Sequence, residues 1–174
     1  MTKRNISVLV HVALLITLEI LLGRIFSFLP TQFMRFSLGF LPIAVCAMLY
    51  GPVWAGVAGA LSDILGVTLF PTQGVFFPGF TVSALLTGVL FGIFFWQKNG
   101  ELKHIRLILG IAINAILVSL FLQAFWMTVA YGKAFEVFAA QRLIQVCIMS
   151  PVQFMILRLL CRPVLLYSKR LPSP

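Results

Sequence analysis

The chain has 174 residues, of which 61% are hydrophobic and 10% are charged, and it carries a net charge of +9. A water-soluble domain has about 45–50% apolar and about 25% charged residues, so this composition excludes an ordinary soluble protein and indicates a membrane-embedded one. The positive charge does not indicate nucleic-acid binding, because membrane proteins concentrate Lys and Arg on their cytoplasmic side.

Six apolar segments follow one another along the chain, and each predicts a transmembrane helix, since about 20 apolar residues span the hydrocarbon core. They cover residues 6–28, 36–50, 53–70, 80–96, 105–131 and 135–166. The second segment is short for a span, and Pro151 predicts a bend in the sixth. The predicted fold is an all-α membrane protein, a compact bundle of six transmembrane helices that forms a single domain over residues 1–174.

The distribution of basic residues predicts the orientation of this bundle. With six spans, nine of the 13 Lys and Arg residues fall on the side that holds both termini, and four fall on the other side. Both termini are therefore predicted to be cytoplasmic, with three connections outside. Small residues such as Gly56, Gly59, Gly88 and Gly92 predict close helix packing, either within the bundle or at a dimer face.

Motifs for chemistry are missing from the sequence. It contains no GxxxxGK[ST] motif for nucleotide phosphates, and its two histidines and three cysteines show no catalytic or metal-binding spacing. We therefore expect no catalytic residue, no metal site, no cofactor and no ATP hydrolysis by this chain.

Charged residues in the outer half of the apolar segments are the informative feature, because a charge in hydrocarbon costs about 2.5–3.5 kcal/mol and is usually paired or functional. Asp63 has no opposite charge within a helical turn; it could accept two hydrogen bonds from an amino-heterocycle, cap a helix or bond another helix. Glu19, Arg24 and Arg142 could form structural ion pairs. Arg24 could also extend to the headgroups, and Arg35 could be solvated.

Aromatic residues, mostly Phe, crowd the same outer side. Phe76 and Phe77 lie in a loop framed by Pro and Gly and predict a lid or a stacking wall, although an interfacial aromatic belt is the alternative. An outward-facing cavity with such rings, one carboxylate and several arginines fits a flat, hydrogen-bonding ring with an acidic tail. The predicted substrate-binding residues are Asp63, Arg35, Arg24, Arg142, Phe76, Phe77, Gln73, Trp126 and Gln145.

Two runs of sequence resemble a known family. The run from Leu38 to Pro71, with GFLPIA and GPVWAG, and the run from Phe76 to Gly92, with FFPGFT, are similar to the folate-type S components of energy-coupling factor (ECF) transporters. The resemblance implies a multi-pass protein of the bacterial cell membrane, surrounded by lipid, that binds folate from outside near the outer surface. It also implies partners: a shared transmembrane coupling subunit and two ATPase subunits, which alone use ATP.

The same resemblance implies where those partners dock. S components carry an AxxxA pattern in the first helix, and the nearest match here is Ala13-x-x-x-Thr17, so Ala13 and Thr17 are predicted to contact the coupling subunit. Two alternatives stay open. The same architecture could bind another vitamin, such as pantothenate or riboflavin, or the chain could be a membrane scaffold that is not a transporter.

Overall fold

A computed structural model of the protein describes most of the chain, with short gaps at the termini and in the connections. The described residues are 3–25, 28–31, 34–70, 77–96, 104–132 and 135–168. Within these ranges the side chains of the first connection, residues 28–31 and 34–36, are not described.

Six helical segments make up nearly all of the described chain. They are α1 (Lys3–Ile20, extended by a π-helical turn Leu21–Ile25), α2 (Phe40–Tyr50), α3 (Pro52–Leu69), α4 (Pro78–Phe95), α5 (His104–Tyr131) and α6 (Phe135–Ser168). Five of them are long and apolar enough to cross a membrane, and α2 is the shorter one. The predicted six-helix membrane bundle is thus confirmed, and the short second segment is a real property of the fold.

Two local features depart from the simple helical pattern. The middle of α5 is π-helical over Asn114–Leu122, with α-helix on either side of it. The first connection, expected to be a loop, contains two short antiparallel strands, β1 (Phe28–Thr31) and β2 (Met34–Phe36). Neither feature has a hydropathy signal of its own, since the π-helical stretch is as apolar as its surroundings and each strand has four residues or fewer.

The helices α3 and α4 form the closest contact in the bundle, and glycines make it possible. A Cβ atom on Gly88 would lie 2.5 Å from the Ala55 carbonyl carbon and 2.8 Å from the Gly56 nitrogen. One on Gly59 would lie 2.5 Å from the Ala84 carbonyl oxygen. Because only glycine allows backbones this close, these small residues pack within the chain, as the bundle interpretation predicted.

The main core lies where α1, α2, α3 and α4 meet the first part of α5 and the second half of α6. Its fully buried side chains include Cys46, Met48, Phe91, Phe95 and Leu157. A second, smaller core joins α5 and α6 near their connection, through Ala124, Met127 and Phe138, with Phe80 of α4 packed against it. The two cores hold the two ends of the bundle, and the smaller one lies at the end away from both termini.

Candidate functional site

A buried ion pair joins α1 to α3 at the end of the bundle away from the termini. Arg24 Nη2 lies 3.6 Å from Asp63 Oδ1, and the two side chains are only 12% and 19% exposed. On the other side of the carboxylate, Thr81 Oγ1 of α4 donates a hydrogen bond of 2.8 Å to Asp63 Oδ2. Asp63, which has no opposite charge nearby in sequence, therefore obtains one from another helix.

The position of Arg24 depends on a glycine in α3. A Cβ atom on Gly66 would lie 2.9 Å from Arg24 Nε and 3.2 Å from Arg24 Nη2. The guanidinium therefore lies flat against the backbone of α3, one turn beyond Asp63. This excludes the alternative in which Arg24 extends away from the protein to the lipid headgroups.

A group of aromatic rings lies where α4 meets α5. The ring centroids of Phe77 and Trp126 are 5.7 Å apart, and those of Phe77 and Phe80 are 6.0 Å apart. Trp126 covers the first turn of α4 so closely that a Cβ atom on Gly79 would overlap the indole. The structure therefore brings Phe77, Phe80 and Trp126 into one group of contacting rings; whether Phe77 serves as a lid or stacking wall stays a prediction.

The second arginine, Arg142, lies on α6 beside this wall. Its Nη1 donates a 2.8 Å hydrogen bond to Gln145 Oε1, and its Nη2 lies 3.5 Å from the sulfur of Met127 on α5. Gln145, predicted as a ligand-binding residue, therefore orients the guanidinium of Arg142 in the structure.

The start of α4 connects the carboxylate cluster to the aromatic and arginine cluster. Thr81 bonds Asp63 on one side, while Gly79 and Phe80, on the same two turns, pack against α5 and α6. The residues that form this junction, Phe77 to Thr81, lie directly after the connection between α3 and α4. The structure therefore brings the predicted acidic, basic and aromatic groups to one end of the bundle.

This end of the bundle can be compared with proteins already known. A family model described as "ECF transporter, substrate-specific component" matches residues 7–165. The chain belongs to this family. The resemblance inferred from the sequence is confirmed, and the protein is a multi-pass bacterial membrane protein and a component of a transporter.

Individual relatives of this substrate-specific component agree with that assignment. This chain is 38% identical over 154 residues to "Folate transporter FolT" of Clostridium novyi (strain NT), and the match covers 88% of this chain and 87% of that protein. It is 26% identical over 149 residues to a protein of the same name from Leuconostoc mesenteroides subsp. mesenteroides, over 83% and 78% of the two chains. The solved "Crystal structure of FolT bound with folic acid" superposes with a TM-score of 0.82 at 30% identity, over 93% of this chain and 95% of that one.

Three of the predicted ligand-binding positions cannot be placed in the site. Gln73 and Phe76 lie outside the described residues, as does the side chain of Arg35, whose backbone belongs to β2. Their roles in this substrate-specific component stay predictions.

Three other residues shape the described site and were missed by the sequence reasoning. Thr81 fixes the carboxylate, Gly66 accommodates the guanidinium, and Gly79 accommodates the indole. A signal for Thr81 does exist in the sequence. The close contact between α3 and α4 through Gly56, Gly59 and Gly88, here called the glycine seam, sets the antiparallel register of the two helices. In that register Gly56 faces Gly88, Gly59 faces Ala84, and Asp63 consequently faces the first turn of α4.

The predicted docking residues lie on the exposed face of α1, which does not pack against the rest of the bundle. Ala13 and Thr17 are both exposed, and Thr17 Oγ1 donates a 3.0 Å hydrogen bond to the Ala13 carbonyl oxygen. Since the hydroxyl bonds its own helix, the Thr17 side chain can offer its methyl group to a neighbour. The pair therefore provides the small, apolar surface that close helix packing requires.

An apolar groove lies near the termini, between α1, α2 and α6. Its volume is about 360 Å³, and it is lined by His11, Leu14, Leu15, Val45, Leu49, Leu160, Pro163 and Val164. It shares no residue with the predicted ligand site and offers no charged side chain among those lining residues.

Proposed function

We propose that this substrate-specific component is the high-affinity folate-binding subunit of a bacterial vitamin importer. It takes up folate at the external surface of the cell membrane. The observation that carries the proposal is the junction at the start of α4. There a buried carboxylate held by Thr81 lies on one side, and an aromatic wall with Arg142 lies on the other. The relatives named as folate transporters and the solved structure with folic acid support the same ligand.

In this proposal Asp63 recognises the pterin ring. A carboxylate has about four lone-pair positions, and in the structure Thr81 and Arg24 engage one on each oxygen, so two more hydrogen bonds from a ring amino group and ring N–H can be accepted. At 3.6 Å the arginine is farther away than in a charge-assisted hydrogen bond of about 2.7–2.9 Å, so it compensates the charge without blocking the oxygen. Phe77 and Trp126 offer ring faces for stacking.

The acidic tail of folate would meet the basic groups. Arg142, oriented by Gln145, is the described candidate, and Arg35 in the first connection is the second. Gln73 and Phe76 would complete the ligand cover from the second connection. A planar guanidinium suits this task because it binds a carboxylate through two parallel hydrogen bonds.

The direct test is calorimetric titration of folic acid into the purified protein in detergent. Asp63→Ala should abolish tight binding, but it would also remove the acidic partner of the largely buried Arg24, which is destabilising in its own right. We therefore add the neutral pair Asp63→Asn with Arg24→Gln, and Glu136→Gln as a control in the exposed first turn of α6.

The outcomes separate a ligand role from a structural one. If Asp63 binds the ring, the neutral pair should melt near the wild-type temperature but bind folic acid at least about a hundredfold more weakly, since hydrogen bonds to a charged group contribute about 1.5–3 kcal/mol each. Wild-type affinity in the neutral pair would reduce Asp63 to a partner of Arg24. If pantothenate or riboflavin, and not folic acid, raised the melting temperature of the wild type, that vitamin would be the ligand in place of folate. If no vitamin raised the melting temperature, the scaffold alternative would be favoured.

The proposal also includes partners that supply the energy. A shared transmembrane coupling subunit would dock on Ala13 and Thr17, and two ATPase subunits would hydrolyse ATP, for which this chain has no motif. Thr17→Leu should abolish co-purification with the coupling subunit and leave folic acid affinity unchanged. Thr68→Leu is the matched control, because Thr68 is also exposed and also bonds its own helix through its hydroxyl. Retained co-purification of Thr17→Leu would remove this face from the docking surface.

A further inference from the structure

The first half of α6 turns a stripe of polar side chains toward α5. Phe138, Gln141, Arg142 and Gln145 recur at the spacing of one helix face. Phe138 is 1% exposed and packs in the smaller core with Met127 of α5, which fixes the direction of this face. The contact of Arg142 with the Met127 sulfur confirms that the polar members point the same way.

Two uncharged polar atoms in this region are buried and have no hydrogen-bond partner among the described residues. They are Trp126 Nε1, a donor, and Gln141 Oε1, an acceptor. Buried polar atoms are nearly always hydrogen-bonded in native proteins, so each such exception requires an explanation. The close packing of Trp126 on Gly79 holds the indole in place, so its N–H cannot simply rotate toward another partner.

The chemistry of the two atoms indicates what would satisfy them. Trp126 Nε1 requires an acceptor and Gln141 Oε1 requires a donor, and a secondary amide is a neutral group that supplies both. A ligand carboxylate has no hydrogen-bond donor for Gln141. The edge of the pterin ring, which carries several N–H donors, matches the carboxylate of Asp63 better than it matches this pair. Gln141 is also the neighbour of Arg142 along α6, the residue assigned to the carboxylates of the ligand.

We propose that Trp126 and Gln141 are specificity-determining residues that bind the secondary amide of folate, which joins its aminobenzoyl ring to its glutamate. This inference rests on the proposed function. Trp126 Nε1 donates to the amide carbonyl oxygen, and Gln141 Oε1 accepts from the amide N–H. The order along the site, with Asp63 for the ring, this pair for the amide and Arg142 for the carboxylates, follows the order of the groups along the ligand.

The test compares two probes, folic acid and pteroic acid, which lacks both the amide and the glutamate. The variants are Trp126→Phe, which keeps a ring but loses the N–H, and Gln141→Met, which keeps length but loses the amide. Matched controls are Trp54→Phe and Gln153→Met, both partly buried and outside the proposed site. Affinities are measured by calorimetry, and melting temperatures are measured without ligand.

Each variant should bind folic acid about three- to tenfold more weakly, the effect of one lost hydrogen bond to a neutral group. Gln141→Met should bind pteroic acid as the wild type does, because that probe has no amide N–H to donate to Gln141. Trp126→Phe should weaken both probes, because pteroic acid keeps an acceptor oxygen at the position of the amide carbonyl. Gln141→Met should melt at or above the wild-type temperature, because it removes a buried polar atom that lacks a partner. Equal weakening toward both probes in Gln141→Met, or unchanged affinity for folic acid in either variant, would overturn the amide assignment. If the wild type bound neither probe, the proposed function itself would fail.

Discussion

Replacing Gly88 by alanine should test how tightly the ligand site depends on the packing of α3 against α4. The new Cβ atom would lie 2.5 Å from the Ala55 carbonyl carbon, whereas ordinary contact begins at 3.4 Å. The obstacle is backbone rather than a flexible side chain, and the Ala55 carbonyl oxygen is closer still, so α4 must move away from α3 by at least about 0.9 Å. The hydrogen bond from Thr81 to Asp63 crosses the same seam at 2.8 Å, and a shift of that size stretches it beyond the 3.5 Å limit of a hydrogen bond.

The expected consequences are a lower melting temperature and weaker folic acid binding. Overpacking costs about 1–3 kcal/mol, and the gain in helix propensity from glycine to alanine, about 1 kcal/mol, offsets only part of it. Thermal unfolding in detergent and calorimetry measure the two effects, with Val82→Ala on the exposed face of α4 as control. Wild-type stability together with wild-type affinity in Gly88→Ala would refute the seam as the support of the site.

Two further predictions concern the carboxylate cluster. Thr81→Val removes the hydroxyl that donates to Asp63, so folic acid affinity measured by calorimetry should fall about three- to tenfold. Thr81→Ser restores the hydroxyl and should restore the affinity. Thr87→Val is the control, because Thr87 bonds only its own helix, and this variant should bind as the wild type does. Gly66→Ala pushes against the flexible end of Arg24 rather than against backbone, so calorimetry should show affinity reduced a few-fold while the melting temperature stays near that of the wild type. A large loss of stability in Gly66→Ala would mean that the guanidinium cannot yield.

Hydropathy alone was sufficient to predict the helices, because lipid requires each spanning segment to satisfy its own backbone groups and to be apolar throughout. The predicted segment 105–131 became α5 over His104–Tyr131, and 53–70 became α3 over Pro52–Leu69. The strands of the first connection were not predicted, because a hairpin of three- and four-residue strands around Pro30 leaves no periodic pattern.

The sequence predicted which residue types belong to the site, but it did not predict which side chains pair across helices. Asp63, Arg24 and Arg142 stood out because charges are rare in apolar segments. Arg142 and Gln145 lie three residues apart on α6, a spacing that brings side chains together on one helix. That Arg24 pairs with Asp63, and that Arg142 contacts Met127, depends on how three-dimensional packing aligns different helices. Such alignment is not encoded in local spacing.

The short α2 has a consequence for the half of the protein that lies away from the termini. Its eleven residues rise about 16 Å, roughly half the thickness of the hydrocarbon layer, and Asp63 lies at the same rise along α3 from Pro52. Beyond that level the helices that contact α2, among them α1, α3 and α4, continue without it. Arg24, Asp63 and Thr81 belong to those neighbours, so the ion pair and the hydroxyl that bonds its carboxylate lie at the level where α2 has ended.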